Sequence, residues 1–395
     1  MMKKRVYMDY SATTPMREEV LEEMMQFMKT EYGNPSSLHS YGRASKNAVD
    51  TARDRVAQTI NAKSREIYFT GGGSEADNWA IIGYAFANRN KGNHIITTKV
   101  EHHAVLHTVE YLVKEHGFSA TYLDVDADGL IDLKDLKAAI TDETILITVM
   151  FANNEIGTIQ PIKEIGAMAK EKKVAFHTDG VQALGNIKLD VDELNIDMMS
   201  MSAHKLHGPK GIGALYIRPG IKIHNLIHGG AQERNKRAGT ENVPGIVGFG
   251  KAAELAHENL RERIQEKTRL RDKLIDGILE NIPYTLLNGH RTQRLPNNTN
   301  ISFRYIEGES LLLSLDMVGI AASSGSACTS GSLDPSHVLL SLGLTHEVAH
   351  GSLRLTIGAY NTEEEVDYVL EQLPPIVERL RQMSPLYEEI QGGNQ

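Results

Sequence analysis

The chemistry in this chain is concentrated in a few short runs. In Ser202-Ala203-His204-Lys205-Leu206-His207-Gly208-Pro209-Lys210-Gly211, a lysine directly follows an apolar run, with a hydroxyl and an imidazole before it and glycines after it. A lysine in such a setting can have its pKa lowered and form a Schiff base with a carbonyl group. The competing reading is a solvated lysine in a Gly-Pro turn, and taken alone it is the stronger one. In His177-Thr178-Asp179-Gly180-Val181-Gln182 an acid ends an apolar strand pattern. That is where open α/β sheets bind ligands, although an Asp there also serves as a helix cap. In Thr70-Gly71-Gly72-Gly73-Ser74-Glu75-Ala76-Asp77 three glycines separate a strand pattern from a helix pattern. Backbone N–H groups at such a junction suit a phosphate; an ordinary turn, with Ser74 as N-cap and Asp77 three residues on, is an even alternative. The run is neither a Walker A loop nor a GxGxxG fingerprint.

Three further features stand out. The only cysteine lies in Ser323-Ser324-Gly325-Ser326-Ala327-Cys328-Thr329-Ser330-Gly331-Ser332. Small polar neighbours offer nothing to bury, so the pattern is an exposed loop that carries a thiol. No Lys or Arg is near in sequence to lower its pKa. Glu101-His102-His103 follows a strand pattern. Adjacent residues diverge on a helix and no HExxH spacing is present, so one functional imidazole fits better than a metal site. Arg354, on the strand pattern of Gly351-Ser352-Leu353-Arg354-Leu355, could hold a carboxylate bidentately or form a cross-strand ion pair. A phosphate cradle, a strand-end acid, a strand-end lysine and an imidazole together suit pyridoxal 5′-phosphate, which needs a lysine and an acid partner for its ring nitrogen.

These groups need a scaffold, and the pattern supplies one. Strand-like runs over 66–70, 94–98, 120–125, 144–152, 174–179, 198–202 and 213–217 alternate with helical runs over 74–88, 103–116, 133–140 and 162–171. Such alternation predicts a mainly parallel sheet covered by helices. The character changes near 244: one or two amphipathic helices over 244–281, then shorter strands over 284–287, 300–303 and 352–357. The last helix opens on the capping box Thr362 and Glu365 and is expected to bend or stop at Pro374-Pro375. The expected division is a large domain over 15–260 and a smaller α/β domain made from 1–14 and 261–395, with the cysteine loop over 321–332 in the latter.

The 395 residues carry 42 Lys and Arg against 51 Asp and Glu, a net charge of −9. An acidic chain is a poor binder of nucleic-acid backbones. One cysteine excludes intrachain disulfides and cysteine-ligated clusters built by this chain alone. Residues 6–15 are too polar for a signal peptide core, and no apolar run could span a bilayer, so the expectation is no membrane and a cytoplasmic, reducing location.

The motifs also resemble those of a known family. From Asp9-Tyr10-Ser11-Ala12-Thr13-Thr14-Pro15 and Gly33-Asn34-Pro35-Ser36-Ser37, through the Lys205 and Cys328 motifs, to Arg354, the chain is similar to group I cysteine desulfurases of the NifS/IscS type. These belong to the class V aminotransferase-like enzymes. The resemblance implies an α/β fold type I PLP-dependent transferase, with a mainly parallel seven-stranded sheet in the large domain and a smaller α/β C-terminal domain. It implies pyridoxal 5′-phosphate as cofactor and L-cysteine as substrate, leaving L-alanine and a persulfide on Cys328. Lys205 then matches the Schiff-base lysine, Asp179 the acid at the ring nitrogen, Gln182 the contact to the phenolic oxygen, and His102 the ring-stacking imidazole and acid–base group. Gly73, Ser74, Ser202 and His204 match the phosphate cup. Thr240 matches a residue that reaches the phosphate of a neighbouring subunit, which implies a homodimer. Asn154 and Arg354 match contacts to the substrate carboxylate. Gly73 stands where many members carry alanine. An iron–sulfur scaffold protein of the IscU/NifU type is the implied acceptor, with other sulfur acceptors open. A selenocysteine lyase or aminotransferase of the same fold is the near alternative; a non-catalytic assembly scaffold and a metal-dependent hydrolase are further ones.

Overall fold

The computed structural model describes residues 4–324, 335–385 and 387–388. Among these residues, seven strands form one sheet. Across it they run Ile67–Thr70, Gly213–Ile217, Met198–Ser202, Ala175–Asp179, Thr144–Thr148, His94–Thr98 and Ser119–Leu123. Only Gly213–Ile217 runs against the others. The sheet is therefore mainly parallel, as the strand–helix alternation predicts. Its middle strands are buried along their whole length, which is why apolar residues fall at adjacent positions in them, as in Ile145-Leu146-Ile147 and Met198-Met199, rather than only at alternate ones. One apolar cluster packs Phe176, Met199, Met201 and Ala214 against Ile162, Val247 and Phe249. A second, with Ile95, Leu146, Met198 and Leu215, packs against Trp79, Val105 and Val109. Helices thus cover both faces of the sheet.

A three-stranded antiparallel sheet, Ser352–Thr356, Asn298–Phe303 and Thr285–Leu287, lies beyond it. Its apolar cluster joins Leu270, Leu274 and Ile278 to Val366, Val369, Leu373 and Val377, and takes in Val6 and Met8 from the start of the chain. Val6–Tyr7 pairs in parallel with Ile320–Ala321. Close approach of this N-terminal segment needs a glycine at 358, where a Cβ would fall 1.9 Å from the Tyr10 ring.

Two local expectations are corrected. The last helix does not bend or stop at Pro374-Pro375; it runs unbroken over Glu363–Gln382. Val366, Val369 and Leu373 before the prolines and Ile376 and Val377 after them are all buried on one stripe. Packing of that stripe on both sides of the prolines outweighs the helical bonds that they cannot donate. The helix expected over 74–88 is also not uniform: Gly73–Asn78 and Tyr84–Asn88 are joined by a π-helical turn, Trp79–Gly83. The His224 carbonyl accepts from Trp79 Nε1 at 2.9 Å and would lie 2.5 Å from any Cβ on residue 83. The 244–281 region resolves into two helices, Val243–His257 and Leu260–Asn281, separated at Asn259, which has φ +49°.

Candidate active site

The site lies where neighbouring strands of the large sheet end. Ala175–Asp179 delivers Asp179; Met198–Ser202 delivers Ser202 and, one 3-10 turn later, His204 and Lys205. The helix His103–His116 starts beside them with His102 as its N-cap. Parallel strands align these ends, so residues far apart in sequence share one rim.

Asp179 is buried, and its Oδ1 accepts from the Val181 N–H at 2.9 Å. Burial pushes its pKa up, opposed by the nearby charges of His102 and Lys205. His102 Nδ1 accepts from the Ala104 N–H at 3.1 Å. In the neutral ring the proton is therefore on Nε2. Burial lowers the His102 pKa; Asp179 pulls it up and Lys205 down. Lys205 Nζ donates to the carbonyls of Ser11 and Ala12, at 2.5 and 2.7 Å. The same N-terminal run holds its neighbours: Gln182 Nε2 donates to Ser11 O at 3.2 Å, and His204 Nδ1 lies 3.2 Å from Thr13 Oγ1. Burial and the cations Lys205 and Lys210 push the His204 pKa down to about 4.

Beside Lys205 is a cavity of about 550 Å³ lined by Ala12 and Thr13, the run from Gly71 to Glu75, Ser202, His204, Lys210 and Gly211. Gly73, Ser74, Ser202 and His204 thus come together as expected. Gly72 faces open space, since a Cβ there would meet nothing within 4 Å, whereas one on Gly73 would lie 2.9 Å from Val181 Cγ2. Gly72, not Ser74, is the helix N-cap, and no side chain caps that end. Asp77 is no surface cap either: it is buried 3.7 Å from His177 Nε2. A dianionic phosphate fits the bare N–H groups of this cradle. A protonated ring nitrogen fits buried Asp179, and an aldehyde fits Lys205, so the donor set suits pyridoxal phosphate.

On the other side Arg354 is buried. Its Nη2 donates to Asp9 Oδ1 at 2.9 Å and its Nη1 to the Asn154 carbonyl at 3.2 Å. Asn154 and Arg354 are therefore in contact, through the Asn154 backbone. Thr240 is exposed and absent from the lining of its own chain's cradle. Cys328 lies outside the described residues. His103 diverges from His102 and packs on His337 and His107, with ring centroids 4.7 and 4.9 Å apart. Among the described residues no group of three His, Cys, Asp or Glu is arranged to hold a metal.

Sequence reasoning missed several groups. The Ser11 and Ala12 carbonyls and the Asp9 carboxylate lie in the run Asp9–Pro15, whose residue types carry no sign of these contacts. Glu101 and Glu155 are buried acids whose pKa burial raises to about 8 and about 7. Glu155 accepts from Ser336, across 181 residues of chain. No local pattern could reveal that pairing; the only signal for Glu101 was its place beside His102.

The match to known proteins covers this whole arrangement. The family model described as "Aminotransferase class-V" matches residues 6–369. The chain belongs to the class-V aminotransferase family. It is 63% identical over 390 residues to the "Cysteine desulfurase IscS" of Clostridium botulinum (strain Hall), which covers 98% of each chain. It is 60% identical to the protein of the same name from Methanosarcina thermophila, over 97% of this chain and 94% of that one. Among solved structures, a "NIFS-LIKE PROTEIN" matches with TM-score 0.90 and 40% identity, over 95% of this chain and all of the other. "SspA in complex with cysteine" matches with TM-score 0.79 and 38% identity, over 90% of this chain and all of the other.

Proposed function

We infer that this class-V enzyme is a pyridoxal phosphate-dependent cysteine desulfurase: it takes sulfur from L-cysteine, releases L-alanine and passes the sulfur toward iron–sulfur cluster assembly. The observation that carries the reading is the Lys205 amine, held at the ends of adjoining strands beside buried Asp179 and His102, in a chain with desulfurase relatives at 63% identity.

The residues divide the work as follows. Gly73, Ser74, Ser202 and His204 hold the phosphate, with Thr240 of a second copy completing the cup in a homodimer. Asp179 keeps the ring nitrogen protonated, and Gln182 orients the ring oxygen. Pyridoxal phosphate, when bound, supplies an aldehyde for the substrate amine and an electron sink for the adjacent carbanion. Lys205 would hold the cofactor through its amine and, with substrate present, would hold and move the Cα proton, the Ser11 and Ala12 carbonyls stabilising its ammonium form. His102 presents a proton on Nε2. Arg354 and Asn154 bind the substrate carboxylate. The Cys328 thiolate attacks the substrate sulfur; the C–S electron pair leaves with carbon, which is then protonated. Cys328 keeps the sulfur as a persulfide, and with no second cysteine in the chain an external acceptor must remove it. An iron–sulfur scaffold protein is the proposed acceptor.

We also propose the division into 15–260 and 1–14 with 261–395, which the separate apolar clusters support. Among the described residues no helix is long and apolar enough to cross a membrane, which fits a cytoplasmic enzyme. The test of the function is an assay of alanine and sulfide from L-cysteine with a thiol reductant. Equal release of both supports it; transamination to a keto acid without sulfide would replace it with the aminotransferase reading.

A further inference from the structure

The run Asp9–Pro15 contributes backbone carbonyls to Lys205 and Gln182, yet its one charged side chain has no part in that. Asp9 instead meets Arg354, and both are tightly anchored. The Arg354 backbone pairs with Ser323, N–H to O at 2.7 Å and O to N–H at 3.2 Å. Asp9 is set by its neighbours: Thr356 N–H donates to Met8 O at 2.7 Å, Ser11 N–H donates to Thr356 Oγ1 at 2.9 Å, and the Tyr7 hydroxyl donates to Asp9 O at 3.0 Å. A fixed backbone still leaves the long Arg354 side chain its torsions. Two contacts remove that freedom: Nη2 on Asp9 Oδ1 and Nη1 on Asn154 O. The Nε–H, buried like the rest of the group, has no partner among the described residues. A guanidinium held at both terminal nitrogens, with a buried donor to spare, is oriented to receive one more acceptor.

We propose that Asp9 is a positioning residue for substrate recognition: it fixes the Arg354 guanidinium in the orientation that receives the α-carboxylate of the amino-acid substrate. The inference rests on the reading of Arg354 as the carboxylate contact. The Asp9 side chain is 21% exposed while that of Arg354 is 4% exposed. Asp9 is therefore the less buried partner of the pair, not a second fully buried charge.

The test is a spectral titration of the holoenzyme with L-alanine and with ethylamine, which differ only by the carboxylate. In Asp9→Ala, binding of L-alanine weakens about tenfold or more, the worth of a charge-assisted contact, while ethylamine binding stays within about twofold. Asp9→Glu restores part of the preference. An equal loss for both amines, or L-alanine binding that is unchanged or tighter, overturns the proposal. Arg354→Gln separates the two levels of the argument. If it abolishes the preference for L-alanine and Asp9→Ala does not, only the positioning role fails. If Arg354→Gln also keeps the preference, the carboxylate contact itself is wrong. Thermal midpoints of all variants monitor folding; should Asp9→Ala not fold, Asp9→Asn carries the test, with the same direction and a smaller loss.

Discussion

A buried ion pair away from the reacting groups anchors the turn that leads to the cradle. Arg53 grips Glu233 through two bonds, Nη1 to Oε2 at 2.6 Å and Nη2 to Oε1 at 2.7 Å, with side chains only 6% and 3% exposed. The guanidinium also lies 4.6 Å from the centre of the Phe69 ring. Glu233, Arg234 and Asn235 then turn in left-handed geometry, with φ of +43°, +55° and +62°. Three consecutive non-glycine residues there are strained, at a cost on the order of 1–3 kcal/mol each. The turn leads into Arg237, which pairs with Glu75 at the cradle, and on to Thr240. Arg53→Met would leave Glu233 accepting from the Phe69 N–H, at 3.0 Å, without its guanidinium partner. An uncompensated buried carboxylate costs about 3–5 kcal/mol. Urea unfolding should show that loss, and the affinity for pyridoxal phosphate should fall with it as the strained turn relaxes. The double variant Arg53→Met/Glu233→Leu should recover much of the stability, since neither charge remains, but not the cofactor affinity, since the turn still lacks its anchor. A loss below about 1 kcal/mol in the single variant, or a double variant no more stable than the single, would refute the reasoning.

Other outcomes follow from the site. Lys205→Ala should bind pyridoxal phosphate without the lysine-dependent visible band; a band still bleached by borohydride would mean that another lysine holds the cofactor. His102→Ala removes the helix N-cap acceptor, so it should lose about 1 kcal/mol of stability together with most sulfur release; full activity would rule out the proton role. Burial raises the Glu101 pKa to about 8 from a usual 4.5, so the folded protein keeps a proton that the unfolded chain gives up. That contribution to stability is present below about pH 4.5 and is lost as pH rises toward 8. Glu101→Gln should therefore gain on the wild type from pH 5 to 8 in thermal midpoint; parallel pH curves for the two proteins would disprove it.

Much of the fold could be read from local pattern. Strands Met198–Ser202 and Gly213–Ile217 and helix His103–His116 have the predicted bounds, because their apolar periods match the structure that buries them. Pro374-Pro375 misled for the opposite reason: the rule is local, and the packing of Leu373, Ile376 and Val377 is not. In the site, Lys205, Asp179 and His102 carry their chemistry in their residue types and in their place after strands. Asp9, Glu155 and the Ser11 and Ala12 carbonyls do not. Their roles exist only once residue 9 meets 354, residue 155 meets 336, and residues 11 and 12 meet 205. Such contacts leave no spacing to recognise.

In a cysteine desulfurase of this kind sulfur must pass from the substrate to Cys328. Mass spectrometry of the intact protein after brief reaction with L-cysteine, followed by alkylation and peptide mapping, tests it most directly. One extra sulfur atom is expected on the Cys328 peptide, and Cys328→Ala should keep the cofactor's visible absorbance while neither gaining sulfur nor releasing alanine. Undiminished alanine release from Cys328→Ala would contradict it.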